Sequence, residues 1–213
     1  MRKAVLISIR SEWCCQIASG KKTVEIRRNR PSIEPPFQCY IYCTQATPLL
    51  AWQERWSFDH KAFRKEVWPV HKYGREKAES LLELFNGRVL GEFVCDDIRR
   101  IGPECGIIRE DLESAIAGSC LSINQVKEYA NWKAGAHYAD SKDLYGWHIS
   151  DLKIYDNPKS LLDFHRSVDE TELWCKKCAI GGKKGTACAF CYGLDGLRVR
   201  RPPQSWCYVE ELK

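Results

Sequence analysis

Residues 20–27, Gly-Lys-Lys-Thr-Val-Glu-Ile-Arg, crowd two lysines, a glutamate and an arginine around a turn between two apolar elements. The local pattern defines those elements. Val5, Ile7 and Ile9 alternate with Leu6, Ser8 and Arg10 in a β-branched run, which predicts a strand buried mainly on one face. Ser11 is placed as the N-cap of a short helix, with Glu12 in its first turn and Trp13 and Ile17 spaced to share one face. Gly20 is placed to end that helix in the left-handed conformation. A second strand follows, with Val24 and Ile26 on one face and Thr23, Glu25 and Arg27 on the other, because side chains alternate along a strand. Lys22 has the opposite parity if the strand includes it and is free to point elsewhere if it belongs to the turn. Two readings of the cluster stay open. One is an exposed strand edge blunted by lysines and carrying a surface Glu/Arg pair. The other is a small polar cavity in which the cations hold a phosphate or a base while Glu25 accepts hydrogen bonds or moves a proton.

The spacing Gly20-x-Lys22-x-x-Glu25-x-Arg27, preceded by a strand and a short helix, resembles the signature of the ASCH domain, a member of the PUA-like superfamily of small β-barrels. The resemblance extends to segments 38–43 (QCYIYC), 87–96 (GRVLGEFVCD) and 145–155 (YGWHISDLKIY), about two-thirds of the chain. It implies an α+β fold: a small mixed β-barrel with flanking short helices and a cleft that takes RNA, single-stranded DNA or a nucleoside. In one branch of the family a lysine and a threonine remove the acetyl group of N4-acetylcytidine. Lys22 matches that lysine, but the residue three further on is Glu25 rather than threonine.

At 213 residues and 44% hydrophobic, the chain can bury one good core and a small appended module. Its longest early apolar run, residues 4–9, is too short for a membrane span or a secretory signal core, so the expected setting is soluble and cytoplasmic. The net charge of +5 favours polyanions without requiring them. Its distribution is more telling. Lys21, Lys22, Arg27, Arg28 and Arg30 face one acid, Glu25; Lys176, Lys177, Lys183, Lys184, Arg198, Arg200 and Arg201 face only Asp195. That the two basic segments share a face is a hypothesis, motivated by a final strand at 206–210 that should return to the barrel.

Twelve cysteines in a cytosolic setting argue for metal ligation and buried thiols rather than a disulfide framework. Cys175 and Cys178 form one C-x2-C pair and Cys188 and Cys191 another, with nine residues between them, so two knuckles can each present two thiolates to one tetrahedral Zn²⁺. A disulfide pair, an iron–sulfur cluster or a chance spacing are the alternatives. The Lys- and Gly-rich connection buries too little apolar surface to fold without a metal, and four thiolates leave no coordination position for water, so a structural Zn²⁺ is expected. The module is also a candidate protein-interaction surface. Cys14, Cys15, Cys39, Cys43, Cys95, Cys105, Cys120 and Cys207 lie mostly in apolar segments, where core packing is their expected role.

Elsewhere, 47–87 reads as an excursion from the barrel, with Trp52, Trp56 and Trp68 amid charges, a break at Pro69, a helical stretch over 75–85, and a stop at Asn86 and Gly87. Its tryptophans can stack bases or pack the insertion onto its host. Residues 88–101 alternate as a strand, in which Glu92 is expected to face solvent near an edge. Helices are expected over 109–117 and from the N-cap Ser122 to about 132, with a loop over 135–143. Tyr145, Trp147 and His148 open the strand that closes the barrel beside the motif. The resemblance makes Trp147 or Tyr145 a candidate to stack on a base and His148 to hydrogen-bond it, against the plainer alternative that Trp147 is core. Asn157 and Pro158 are expected to start a short helix around 161–165. An acidic linker, 169–172, leads to the zinc module. Arg200, Arg201, Pro202 and Pro203 make a stiff extended lead-in to the final strand.

The chain is thus expected to hold an ASCH/PUA-like barrel over 1–168, a zinc module over 169–201 and a closing strand over 202–213. Nucleic-acid contacts are expected from Lys21, Lys22, Glu25, Arg27, Tyr145, Trp147, His148 and Arg201. The alternative is a hydrolase on RNA or a modified nucleoside, with Lys22 and Glu25 as an acid–base pair.

Overall fold

The computed structural model describes residues 2–57, 62–70, 84–102, 109–132, 143–167 and 198–212. Strand β1 (Lys3–Ile9) leads into helix α1 (Ser11–Ala18) and strand β2 (Val24–Arg27), as the local pattern requires. There follow β3 (Phe37–Cys43), β4 (Leu49–Ser57), β5 (Ala62–Val70), β6 (Val89–Cys95) and β7 (Ile98–Ile101). Helices α2 (Arg109–Ala115) and α3 (Ile123–Ala130) precede β8 (Leu144–His148), β9 (Ser150–Lys159) and β10 (Trp206–Glu210). The fold is α+β. Among the described residues the strands form three sheets, β10-β1-β3-β6-β9, β2-β8-β7 and β4-β5, rather than one closed ladder.

The five-stranded sheet is buried on both faces, which corrects the expectation for β1. Val5, Ile7 and Ile9 join Cys39, Ile41, Phe93 and Trp147 in the main core. Ala4 and Leu6 face a second cluster, built with Tyr40, Tyr155, Phe164 and Val199. Trp147, on β8, ties the three-stranded sheet to the main core. A third cluster lies on the outer face of that sheet, where Ile26, Ile101 and Leu144 meet Leu112, Ile116 and Val126 of the α2 and α3 region.

Several local expectations shift. Arg10, not Ser11, is the N-cap of α1; Ser11 starts the helix and its hydroxyl donates to Ala46 O at 2.9 Å. Residues 88–101 divide into β6 and β7, and 145–155 into β8 and β9, because the chain turns at 96–97 and at Ile149. Asn157 and Pro158 finish β9; the short helix is a 3₁₀ turn, Leu161–Asp163, capped by Ser160. Pro69 breaks nothing: it stands opposite Leu50 in the β4–β5 hairpin. Most of the predicted 75–85 helix lies outside the described residues. Its terminus is tied differently, with Asn86 Oδ1 accepting from Leu50 N at 2.7 Å and Nδ2 donating to Ala46 O at 2.8 Å. Glu92 lies one strand in from the edge strand β9, as expected near an edge, but it is half-buried rather than solvent-facing and accepts the Tyr155 hydroxyl at 2.5 Å. Ser122 caps α3 as expected, in a reciprocal capping box with Gln125.

Cys175, Cys178, Cys188 and Cys191 lie outside the described residues. The chain on either side of that segment is described, and it meets itself: His165 pairs with Arg198, and Val199 N donates to Phe164 O at 2.8 Å.

Candidate nucleic-acid interface

The site begins with the turn after α1. Gly20 adopts φ +73°, and the amides of Lys21 and Lys22 both donate to Gln16 O at 3.0 Å. This places Lys22 before the first residue of β2 and swings its side chain inward rather than along the strand. There the ammonium donates to Ser119 O at 2.7 Å and Val24 O at 2.9 Å, and lies 3.2 Å from Glu25 Oε2. Ser119 is brought in by Gly118, whose φ of +78° turns the chain after α2 and whose carbonyl accepts the amides of Thr23 and Val24.

Glu25 Oε1 faces Arg27 Nη2 at 2.9 Å, and the same Nη2 donates to Ser8 O at 2.7 Å. Lys22, Glu25 and Arg27 retain 2%, 6% and 9% exposure. The reading as an exposed, lysine-blunted edge is therefore excluded. The structure also sets which face of β2 looks inward. Its charged residues lie on the face it shares with Trp147 and Tyr145, their antiparallel partners on β8, while Val24 and Ile26 pack outward against the helices. Beneath the charged pair is the Cys14 thiol, pushed well up by burial and further by Cys43 and Glu25, with Arg27 opposing.

The three charged groups form the floor of a cleft of about 630 Å³. Trp13 and Tyr129 stand on its walls; Lys22 Nζ lies 5.3 Å from the Trp13 ring centroid, and Arg28 packs 4.7 Å from that of Tyr129. Thr44 and Gln45, after β3, add polar groups, as does Gln125 of α3. The remaining wall is the Pro202–Pro203 lead-in, held by Ser8 Oγ donating to Pro203 O at 2.7 Å and by Ser8 N donating to Ser205 O at 2.8 Å. Two polar atoms of cleft-lining residues, Arg27 Nε and Thr44 Oγ1, are buried without a hydrogen-bond partner among the described residues.

The other expected site residues are placed less uniformly. Lys21 is exposed beside the turn. Arg201 is exposed next to the proline wall without lining the cleft. Tyr145 is half-buried against the main core. Trp147 is fully buried, edge-on to Phe37 at 6.0 Å between ring centroids, and has no face to offer a base. His148 belongs to the opposite face of the sheet. Its Nδ1 lies 2.6 Å from Asp96 Oδ1, a contact that lowers the Asp96 pKa, and it borders a separate cavity of about 300 Å³ with Thr23 and Arg99. Trp13, Thr44, Gln125 and Tyr129 escaped sequence reasoning as site residues. For Trp13 a signal existed, since a tryptophan two residues into a short helix seven residues before the GKK turn sits within reach of it.

No protein-family model matches the chain, and no curated protein matches it. Among solved structures, it is similar to an ASCH protein from Zymomonas mobilis, at 17% identity and a TM-score of 0.46 over 99% of this chain and 90% of that one. Two mutant forms of the same Zymomonas mobilis protein align likewise, one at 17% identity, TM-score 0.45, over 99% and 92% of the two chains, the other at 18% identity, TM-score 0.48, over 99% and 90%.

Proposed function

We propose that this chain is an ASCH-like domain that binds single-stranded RNA or DNA through the cleft above Lys22, Glu25 and Arg27. The observation that carries the reading is the coincidence, in one cleft, of a buried charged floor, two aromatic side chains on the walls and an exposed arginine, Arg10, at the mouth. Trp13 and Tyr129 stack unpaired bases, which is worth about 1–3 kcal/mol per base in single-strand binders. Arg10, Lys21 and Arg28 contribute the salt-dependent phosphate attraction. The Cys175, Cys178, Cys188, Cys191 quartet binds a structural Zn²⁺; four thiolates in two C-x2-C pairs are a donor set that suits that ion. The hydrolase alternative draws less support, because an acid–base role for Lys22 needs a proton that reaches the substrate, and its three donors already point at Val24 O, Ser119 O and Glu25.

Fluorescence anisotropy with labelled single-stranded RNA and DNA oligonucleotides, titrated across a salt series, tests the proposal. Binding at micromolar or tighter affinity that weakens steeply with salt and is lost in Trp13→Ala/Tyr129→Ala is the expected result. Absent or salt-insensitive binding defeats it.

A further inference from the structure

The second cavity, of about 300 Å³, lies on the outer side of the β2-β8-β7 sheet against the end of α2, and it shares no lining residue with the cleft. The chain from Gly118 to Leu121 runs between the two. Gly118 borders this cavity, whereas Ser119 O accepts Lys22 Nζ and Leu121 lines the cleft. The lining divides by depth. Its covered part is small and apolar, with Gly146 buried and Val24 and Ala115 half-buried. Gly146 keeps that part open, because a Cβ there would stand 3.2 Å from Val24 Cγ1 and 3.3 Å from Ile101 Cδ1. The exposed part is polar, carrying Asp97, Arg99 and His148 together with the hydroxyls of Thr23 and Ser114.

Both signs of charge stand on this rim, and neither is fully used. Arg99 Nε donates to Asp97 Oδ2 at 2.9 Å, which leaves both Arg99 Nη nitrogens and Asp97 Oδ1 without a hydrogen-bond partner among the described residues. His148 Nδ1 lies 2.6 Å from Asp96 Oδ1. That contact lowers the Asp96 pKa, so the carboxylate accepts, and the neutral imidazole presents Nε2 as a further acceptor. A simple anion would meet Asp96 and Asp97, and a simple cation would meet Arg99. A ligand carrying both signs a few bonds apart is matched on both counts. We infer that this cavity binds a small α-amino acid as its zwitterion. Its carboxylate takes the Arg99 Nη pair, its ammonium takes Asp97 Oδ1 and His148 Nε2, and a short aliphatic side chain covers Val24, Ala115 and Gly146. The volume stands at the lower end of the range for ligand pockets, about 300–1,000 Å³, as a molecule of that size requires.

Heteronuclear NMR titration of the full chain tests this with three probes of similar size. Valine carries both charges, N-acetylvaline keeps only the carboxylate, and valinamide keeps only the ammonium. Valine is expected to shift the amide resonances of Arg99, Gly146 and His148 saturably, with a dissociation constant of about 1 mM or lower. The other two probes are expected to bind roughly tenfold or more weakly. Asp97 and Arg99 are exposed, so each can be changed without disturbing the core. Arg99→Gln should weaken valine roughly tenfold or more and leave valinamide the better ligand; Asp97→Asn should weaken it likewise and leave N-acetylvaline the better one. Three results overturn the inference: either single-charge probe binding the wild type as tightly as valine, valine affinity that survives both substitutions, or no saturable shift with valine.

Discussion

Glu25 stands opposite Trp147 in the antiparallel pairing of β2 with β8, so a carboxylate and the largest fully buried side chain of the described core share one face of the sheet. The carboxylate is tolerated there because Lys22 Nζ and Arg27 Nη2 lie 3.2 Å and 2.9 Å from its two oxygens. Desolvating three charges is unfavourable, and their mutual attraction offsets this only while the set is complete.

Removing one member should therefore be more damaging than its surface-like sequence suggests. Lys22→Met strands the Ser119 and Val24 carbonyls and leaves Glu25 with a single cation. A loss of about 3–5 kcal/mol in unfolding free energy is expected by urea denaturation, the range for breaking a buried pair from one side. A change below about 0.5 kcal/mol, the usual surface range, would show the ammonium to be solvated instead.

The two tryptophans on either side of the charged floor should separate stability from binding. Trp147→Phe shrinks the main core and lowers the thermal midpoint while leaving oligonucleotide affinity nearly unchanged. Trp13→Ala does the reverse, with roughly a tenfold or larger affinity loss and a smaller change in midpoint. Anisotropy and thermal melts of both variants decide it; equal affinity losses in the two would show that Trp147 is reached by ligand.

How far the residues announced this arrangement depended on the range of the interactions involved. β1, α1, the left-handed Gly20, β2 and the Ser122 cap rest on neighbours within a few positions, and each formed where the pattern placed it. The inward turn of Lys22 depends on Ser119, 97 positions away, and no local rule could select it. The orientation of β2 lies beyond local pattern for a related reason. Alternation tells which residues share a face, not which face looks inward, and α2 and α3 supply a second apolar cover that draws Val24 and Ile26 outward. Trp147 was misjudged as a stacking residue because its burial comes from Phe37 and Trp206, both distant in sequence.

Buried thiols and phenols should make the fold sensitive to alkali. Burial pushes the Cys95 thiol from 9.0 up to about 12, with Asp96 adding to the shift, and Tyr40 from 10.0 to about 12, again mainly through burial. A folded pKa above the unfolded one means that the unfolded chain releases its proton first. Stability is then intact below about pH 9 and falls as pH rises toward 12, by at most about 1.4 kcal/mol per pH unit for each group titrating only in the unfolded state. Urea midpoints measured from pH 8 to pH 10.5 should decline, and Cys95→Ala should show a shallower decline from a lower starting value. A flat profile would mean that these groups ionise equally in both states.

The quartet Cys175, Cys178, Cys188 and Cys191 carries the remaining prediction. The ends of its segment are fixed by the Phe164–Val199 and His165–Arg198 pairings, so loss of metal should act locally while the five-stranded sheet keeps its own core. Metal analysis of protein purified without chelator is expected to give about one zinc per chain, with tetrahedral thiolate ligation leaving no open position. Cys175→Ser/Cys188→Ser should abolish it, and chelation of the wild type should expose four additional thiols to a thiol reagent. The main thermal transition should persist in both cases. Purified protein without zinc, whose four cysteines react at once or are found paired as disulfides, would refute the metal assignment. Binding by the metal-free variant then shows whether the module bears on the cleft, since the Pro202–Pro203 wall begins three residues beyond Val199.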